Sequence, residues 1–191
     1  MMMRFWFVFI FMFLPAICWG QIIVKKTGGG AAFPLVSSHE TVIYYDARDY
    51  GVVEKTACLL AEDIKRVTDK KVSVSSKKVS SEYAVVVGTV GHNAFVDRLV
   101  AKGLLDVSAI RGGWEQFVVK PIDDPAKGVK KVLVIAGCDR RGTAYGVFTL
   151  SEAIGVSPLY WWADVPTKRK SQLYVEHINY VSQAPSVQYR G

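Results

Sequence analysis

The sequence predicts an α/β fold, a mixed β-sheet with packed helices in an α/β sandwich. Three observations carry that expectation. Residues 83–87 and 132–136 are continuously apolar, the pattern of strands covered on both faces. Val53, Ala57, Leu60, Ile64 and Val67 recur at helical spacing while Glu54, Lys55, Glu62, Lys65 and Arg66 take the other faces. Extended and helical patterns alternate as strand-helix-strand-strand-helix-strand-strand-helix, an order that lays helices on a sheet. The 191 residues, half of them hydrophobic, suffice for one domain core.

Residues 1–20 stand apart. A start containing Arg4, an apolar run over 5–14, Pro15 and the ending Cys18-Trp19-Gly20 have the order of a secretory signal peptide cut after Gly20. The run is shorter than the roughly 20 apolar residues of a membrane span. The chain is therefore expected to be exported, periplasmic or extracellular, with no membrane contact after cleavage. Without Arg4, 23 of the 24 Lys and Arg remain against 17 acidic residues, a net +6. The excess lies in scattered pairs with no aromatic-interleaved stripe, which argues against nucleic acid as partner. No His/Cys spacing suits zinc, so neither metal nor cofactor is expected. Cys58 and Cys138 can pair in an oxidising compartment, but their placement favours two separate buried thiols.

Residues 21–38, with Gly28-Gly29-Gly30, read as a flexible leader. The α/β domain is expected over 39–166. It begins with a β-branched and aromatic strand at 41–45, the helix at 52–68 and a short strand at 72–75. The apolar strand at 83–87 ends in Gly88-Thr89-Val90-Gly91-His92-Asn93, after which a helix runs to about Lys102. Glycines there can offer backbone N–H groups to an anion, yet the phosphate-loop Lys-Ser/Thr and the dinucleotide glycines are missing; a tight strand-to-helix turn is the expectation, with His92 at a helix terminus. Residues 114–121 alternate as a strand. Asp123-Asp124-Pro125 through Gly128 form a turn rather than a general-acid pair, and 131–137 return as the second apolar strand.

Asp139 is placed to cap the next helix. Ala144, Val147, Phe148, Ser151 and Ile154 are expected to share its buried face. Gly142 and Gly146, four apart, allow close approach to a neighbour, and Gly155 and Pro158 stop the helix. Residues 167–184 read as a linker of extended pieces leaving the domain. Residues 185–191 read as a fresh strand, so the chain has the look of a fragment.

Residues 138–146 (Cys-Asp-Arg-Arg-Gly-Thr-Ala-Tyr-Gly), 150–158 (Leu-Ser-Glu-Ala-Ile-Gly-Val-Ser-Pro) and 160–166 (Tyr-Trp-Trp-Ala-Asp-Val-Pro) together resemble the α-glucuronidases of glycoside hydrolase family 115. Residues 88–91 are similar to a looser element of that family. Residues 185–191 resemble its passage from an N-terminal domain into a catalytic (β/α)8 barrel. The resemblance covers nearly the whole chain after Gly20 and is strongest from Val132 onward. It implies a fold similar to the N-terminal domain of β-N-acetylhexosaminidase-like hydrolases. It also implies an exported enzyme that removes (4-O-methyl)-glucuronic acid from xylan with inversion. Inversion needs an acid and a carboxylate about 6.5–9.5 Å apart, and in the family these belong to the barrel, so no catalytic residue is assigned here and the segment alone is expected to be inactive.

The ending Tyr189-Arg190-Gly191 is also similar to the first barrel strand of β-N-acetylhexosaminidases, which makes Arg190 the candidate substrate-binding residue, a fork for a carboxylate or paired hydroxyls. An arginine paired with a barrel acid is the competing reading. Trp161 and Trp162 can stack on sugar or plug a domain interface, and two aromatics after a helix favour the plug. The implied partners are glucuronoxylan or a related plant polysaccharide, met through the catalytic domain, and the barrel itself. A free-standing carbohydrate-binding or structural module is the alternative; a nucleotide-binding domain is disfavoured by the leader and the missing phosphate loop.

Overall fold

The two continuously apolar runs become adjacent parallel strands inside one sheet, as segments without a polar face must. The computed structural model describes residues 21–79, 81–176 and 179–187, and for Trp161 the backbone alone. In chain order they form β1 (Val24–Lys25), β2 (Phe33–Val36), β3 (Thr41–Tyr44), α1 (Gly51–Thr68), β4 (Ser73–Ser75), β5 (Tyr83–Thr89), α2 (Ala94–Ala101), β6 (Phe117–Ala126), β7 (Val129–Gly137), α3 (Arg140–Ile154), α4 (Tyr160–Ala163), β8 (Leu173–Val175) and β9 (Tyr180–Val181). The larger sheet has the order β4-β3-β5-β7-β6-β9. Its first four strands run parallel; β6 pairs antiparallel with both β7 and β9. The mixed α/β architecture is therefore as expected.

Alternate residues of the central strands feed two cores. Val85, Val87, Leu133 and Ile135 meet α1 and α3, and Ala84, Val86, Val132 and Val134 meet α2 and the 105–110 segment. In α1 the expected stripe Val53, Ala57, Leu60, Ile64 and Val67 is fully buried. Asn93 caps α2 by accepting from the N–H groups of Phe95 and Val96 at 3.0 and 3.1 Å.

In α3 the contact with the sheet is made by glycine. A Cβ on Gly142 would stand 2.3 Å from the Gln116 carbonyl oxygen, and one on Gly146 2.6 Å from Ile135 Cγ2. The buried face runs through Gly142, Thr143, Gly146, Val147, Leu150, Ser151 and Ile154. Phe148, expected on that face, is 44% exposed, because the face centres on the two glycines. Gly155 ends the helix at φ 113°.

Four further expectations change. Residues 21–38, expected to be a flexible leader, supply β1 and β2, and residues 167–184, expected to be a linker, supply β8 and β9. The first three make a small antiparallel sheet with β8 in the middle, and Phe33, Leu35, Leu173 and Val175 are buried in the α1/α3 core. Gly28 packs on the Tyr174 ring, and the Lys131 ammonium, 2.9 Å from the Ala31 carbonyl, holds the turn after the glycines. The β6–β7 turn is tighter than expected: β6 continues through Asp123 and Pro125 past an irregularity at Asp124 (φ 48°), and Gly128 (φ 84°) lies in the turn. Cys58 is exposed on α1, and Cys138 is half-buried; both thiols are free. No described helix is long and apolar enough to cross a membrane.

Candidate functional site

Ligands of open α/β sheets commonly sit beyond the carboxyl ends of the parallel strands. Here that edge carries the loops after β3, β5 and β7, including the glycine turn weighed as an anion site. Its donors are consumed internally. Asp49 accepts the Thr89 N–H at 2.7 Å, the Gly137 carbonyl accepts Val90, Asp97 accepts Gly91 at 2.8 Å, and the Thr89 carbonyl accepts both His92 and Asn93. Asp46 accepts the Ala94 N–H at 3.1 Å and is forked by Arg48, which holds its carboxyl well below the usual range, with backbone bonds adding to the effect. The turn is a structural joint. His92, exposed, shares a 2.9 Å hydrogen bond with the Tyr50 hydroxyl beside it.

The other candidate is a groove of about 680 Å³ between α1 and α3. Leu59 and Asp63 of α1, Tyr145 and Phe148 of α3, and Tyr180 and Ser182 around β9 line it, with Glu115 and Phe117. Glu115 results from an unusual local path. After Gly112 (φ 73°) it takes φ 54° itself, which is costly for a residue with a Cβ, and its side chain is 1% exposed. Its N–H donates to Asp139 Oδ2 at 3.0 Å, and its carboxylate pairs with Arg141 Nε at 2.9 Å. Asp139 also accepts the Gly142 N–H at 2.7 Å, so one carboxylate caps α3 and fastens the loop before β6. Arg141 lies 5.9 Å over the Trp114 ring and donates to the Tyr145 hydroxyl. Ser151, 4% exposed, lines the groove with a hydroxyl that has no hydrogen-bond partner among the described residues.

The groove is amphipathic: exposed Leu59 and Phe148 border it, and Asp63, Glu115 and Glu152 are its carboxylates. The carboxylates of Asp46, Asp49, Asp97 and Asp139 accept backbone N–H groups, and Asp63 is clamped by Arg66 at 2.6 Å. Asp123 pairs with Lys131 at 3.0 Å, while Asp124 occupies the strand irregularity. Burial pushes the Cys138 thiol up, which disfavours the thiolate and so a nucleophilic role. Among the described residues no group of three or more His, Cys, Asp and Glu could hold a metal. Trp162 is 87% exposed in α4. Arg190 and residues 1–20 lie outside the described residues. Sequence reasoning missed Glu115; the available signal was the Gly112-Gly113 pair just before it.

Against this geometry, no protein-family model matches the chain, and no curated protein matches it. Among solved structures, a family GH115 4-O-methyl-α-glucuronidase with specificity for decorated arabinogalactans superposes with a TM-score of 0.67, at 30% identity over 82% of this chain. The fold is GH115-like. This chain spans 19% of that enzyme's chain. Two β-N-acetylhexosaminidases align more distantly. The enzyme from Streptomyces coelicolor A3(2) has a TM-score of 0.49 and 14% identity over 85% of this chain and 25% of its own. That from Streptomyces plicatus has a TM-score of 0.38 and 12% identity over 78% and 23%. The GH115-like fold sets the glycoside hydrolase context in which the groove is read.

Proposed function

We propose that the chain is the non-catalytic N-terminal domain of an exported family 115 α-glucuronidase. In this reading the enzyme removes (4-O-methyl)-glucuronic acid from xylan or a related plant polysaccharide with inversion, on a (β/α)8 barrel that follows in the chain. The observation that carries it is the 30% identity sustained over 82% of this chain within a fifth of a GH115 enzyme. The carboxylates support it too: those of Asp46, Asp49, Asp97 and Asp139 accept backbone N–H groups, and Asp63, in the groove, is clamped by Arg66. The α1–α3 groove, bordered by exposed Phe148 and Leu59, is the surface assigned to the barrel, with Trp162 as a plug. Arg190 stays the substrate-binding candidate at the barrel's first strand. Export rests on residues 1–20, and N-terminal sequencing of the secreted protein is expected to begin at Gln21.

The test is release of glucuronic acid from glucuronoxylan. The 191-residue chain is expected to release none, and the product of a reading frame continued past codon 191 is expected to release it with inversion. Release by the 191-residue chain itself would overturn the placement of catalysis.

A further inference from the structure

On the opposite side of the sheet from the α1–α3 groove lies a smaller pocket that the reading above does not use. It has a volume of about 130 Å³ and is bounded by α2, the tip of the β6–β7 hairpin, Tyr44 and the 78–79 segment. Four cationic side chains line it: Lys78, Arg98, Lys102 and Lys127. None of its lining residues is acidic, and among the described residues no carboxylate pairs with any of the four. Elsewhere in the fold, Arg48, Arg66, Lys130, Lys131 and Arg141 are matched with acids. The α2 dipole accounts for a cation at Arg98 and Lys102, near the helix C-terminus. It does not account for Lys78 and Lys127, which reach the same pocket from two other segments.

The remaining wall is apolar. Val79, Phe95 and Leu99 are buried there, beside Pro125 and Ala126. Arg98 packs over the Phe95 ring at 5.4 Å, and the Phe95 and Tyr44 rings meet at 6.2 Å. A small hydrated anion gains nothing from such a wall. An anion carrying an apolar ring face uses both halves of the site, its C–H face against the apolar wall beside the Phe95 ring that Arg98 covers and its carboxylate among the cations.

We infer that this pocket binds the uronic acid of a polysaccharide side chain as an accessory, non-catalytic subsite. The identity of the anion rests on the proposed α-glucuronidase role, whereas the pocket's preference for an amphiphilic carboxylate stands on its lining. Its place across the sheet from the groove leaves it open when the groove is occupied.

Titration of the purified chain with D-glucuronate, followed by amide nuclear magnetic resonance, tests this. Saturable shifts are expected at Phe95, Arg98, Ala126 and Lys127, with D-glucose giving none and inorganic phosphate binding at least about tenfold more weakly, a difference of about 1.4 kcal/mol. Arg98→Gln and Lys127→Gln, both at exposed side chains, are each expected to weaken glucuronate about tenfold while amide signals away from the pocket stay in place. Lys55→Gln, on α1, is expected to change nothing. Absence of saturable shifts, equal binding of glucose or phosphate, or unchanged affinity in both pocket variants would overturn the inference. None of these results bears on glucuronic acid release by the longer protein, so the two readings fail separately.

Discussion

At Gly146 two effects of opposite sign compete, and distance decides between them. Alanine is better than glycine inside a helix by roughly 0.5–1 kcal/mol. Its methyl group, however, would meet Ile135 Cγ2 at 2.6 Å and the Phe117 ring at 3.0 Å, deep in the core, and overpacking of that kind costs about 1–3 kcal/mol. Gly146→Ala is expected to lower the urea midpoint; a raised midpoint would show that α3 moves off the sheet without penalty. Asp46 gives a pH prediction. Its folded-state carboxyl titrates well below its ordinary 3.8, first because of Arg48. A depressed carboxylate contributes stability that is present above the unfolded value and is lost as pH falls through the folded one. Stability is therefore expected to fall below about pH 4–5, and Asp46→Asn to flatten that acid limb while lowering the plateau above it. An unchanged acid limb would mean that Arg48 and the Ala94 N–H do not hold Asp46 in solution. Both residues were visible in the sequence, but what each touches was not. Asp139 shows the same division: its cap on α3 follows from its position before the helix, whereas its bond to the Glu115 N–H joins residues 24 apart.

Among elements, legibility follows the range of the forces that form them. α1, β5 and β7 were readable because periodicity within each segment reports its own burial. β1 and β2 were not, and β8 was legible as an extended piece but not as part of the domain, because all three are defined by pairing between segments far apart in the chain. The same holds for the groove, which requires α1 and α3 to lie side by side with β9 at its rim. Register is specific here: Val175 faces Val24 on one side and Phe33 on the other. Leu173 and Val175 are fully buried against the α1/α3 core, so the tail is part of the domain's own stability. Leu173→Ala is expected to cost about 2–5 kcal/mol, the usual range for such truncation in a core, measured by denaturant unfolding. A loss below about 0.5 kcal/mol, the scale of a surface substitution, would show that the small sheet frays in solution.

For the whole molecule, the two sides of the sheet carry different chemistry. One side presents a groove with Leu59, Phe148 and Tyr180 along it, near a helix C-terminus that Lys170 covers by donating to the Ile154 carbonyl at 2.7 Å. The other presents the cationic pocket beside α2. Phe148, 44% exposed, and Leu59 form an apolar border along the groove, which the proposed domain role would cover. The proposed domain role thus makes a contrast that can be measured. Phe148→Ser is expected to leave the stability of the 191-residue chain within about 0.5 kcal/mol, as for an ordinary surface change, and to reduce any self-association of the chain. In a longer protein of the proposed kind the same substitution would bury a hydroxyl where an aromatic ring should pack, and it is expected to lower the unfolding temperature of the N-terminal transition. If the short chain is destabilised by more than about 1 kcal/mol, typical of a core position, then Phe148 serves this domain's own packing and the groove is not its docking face.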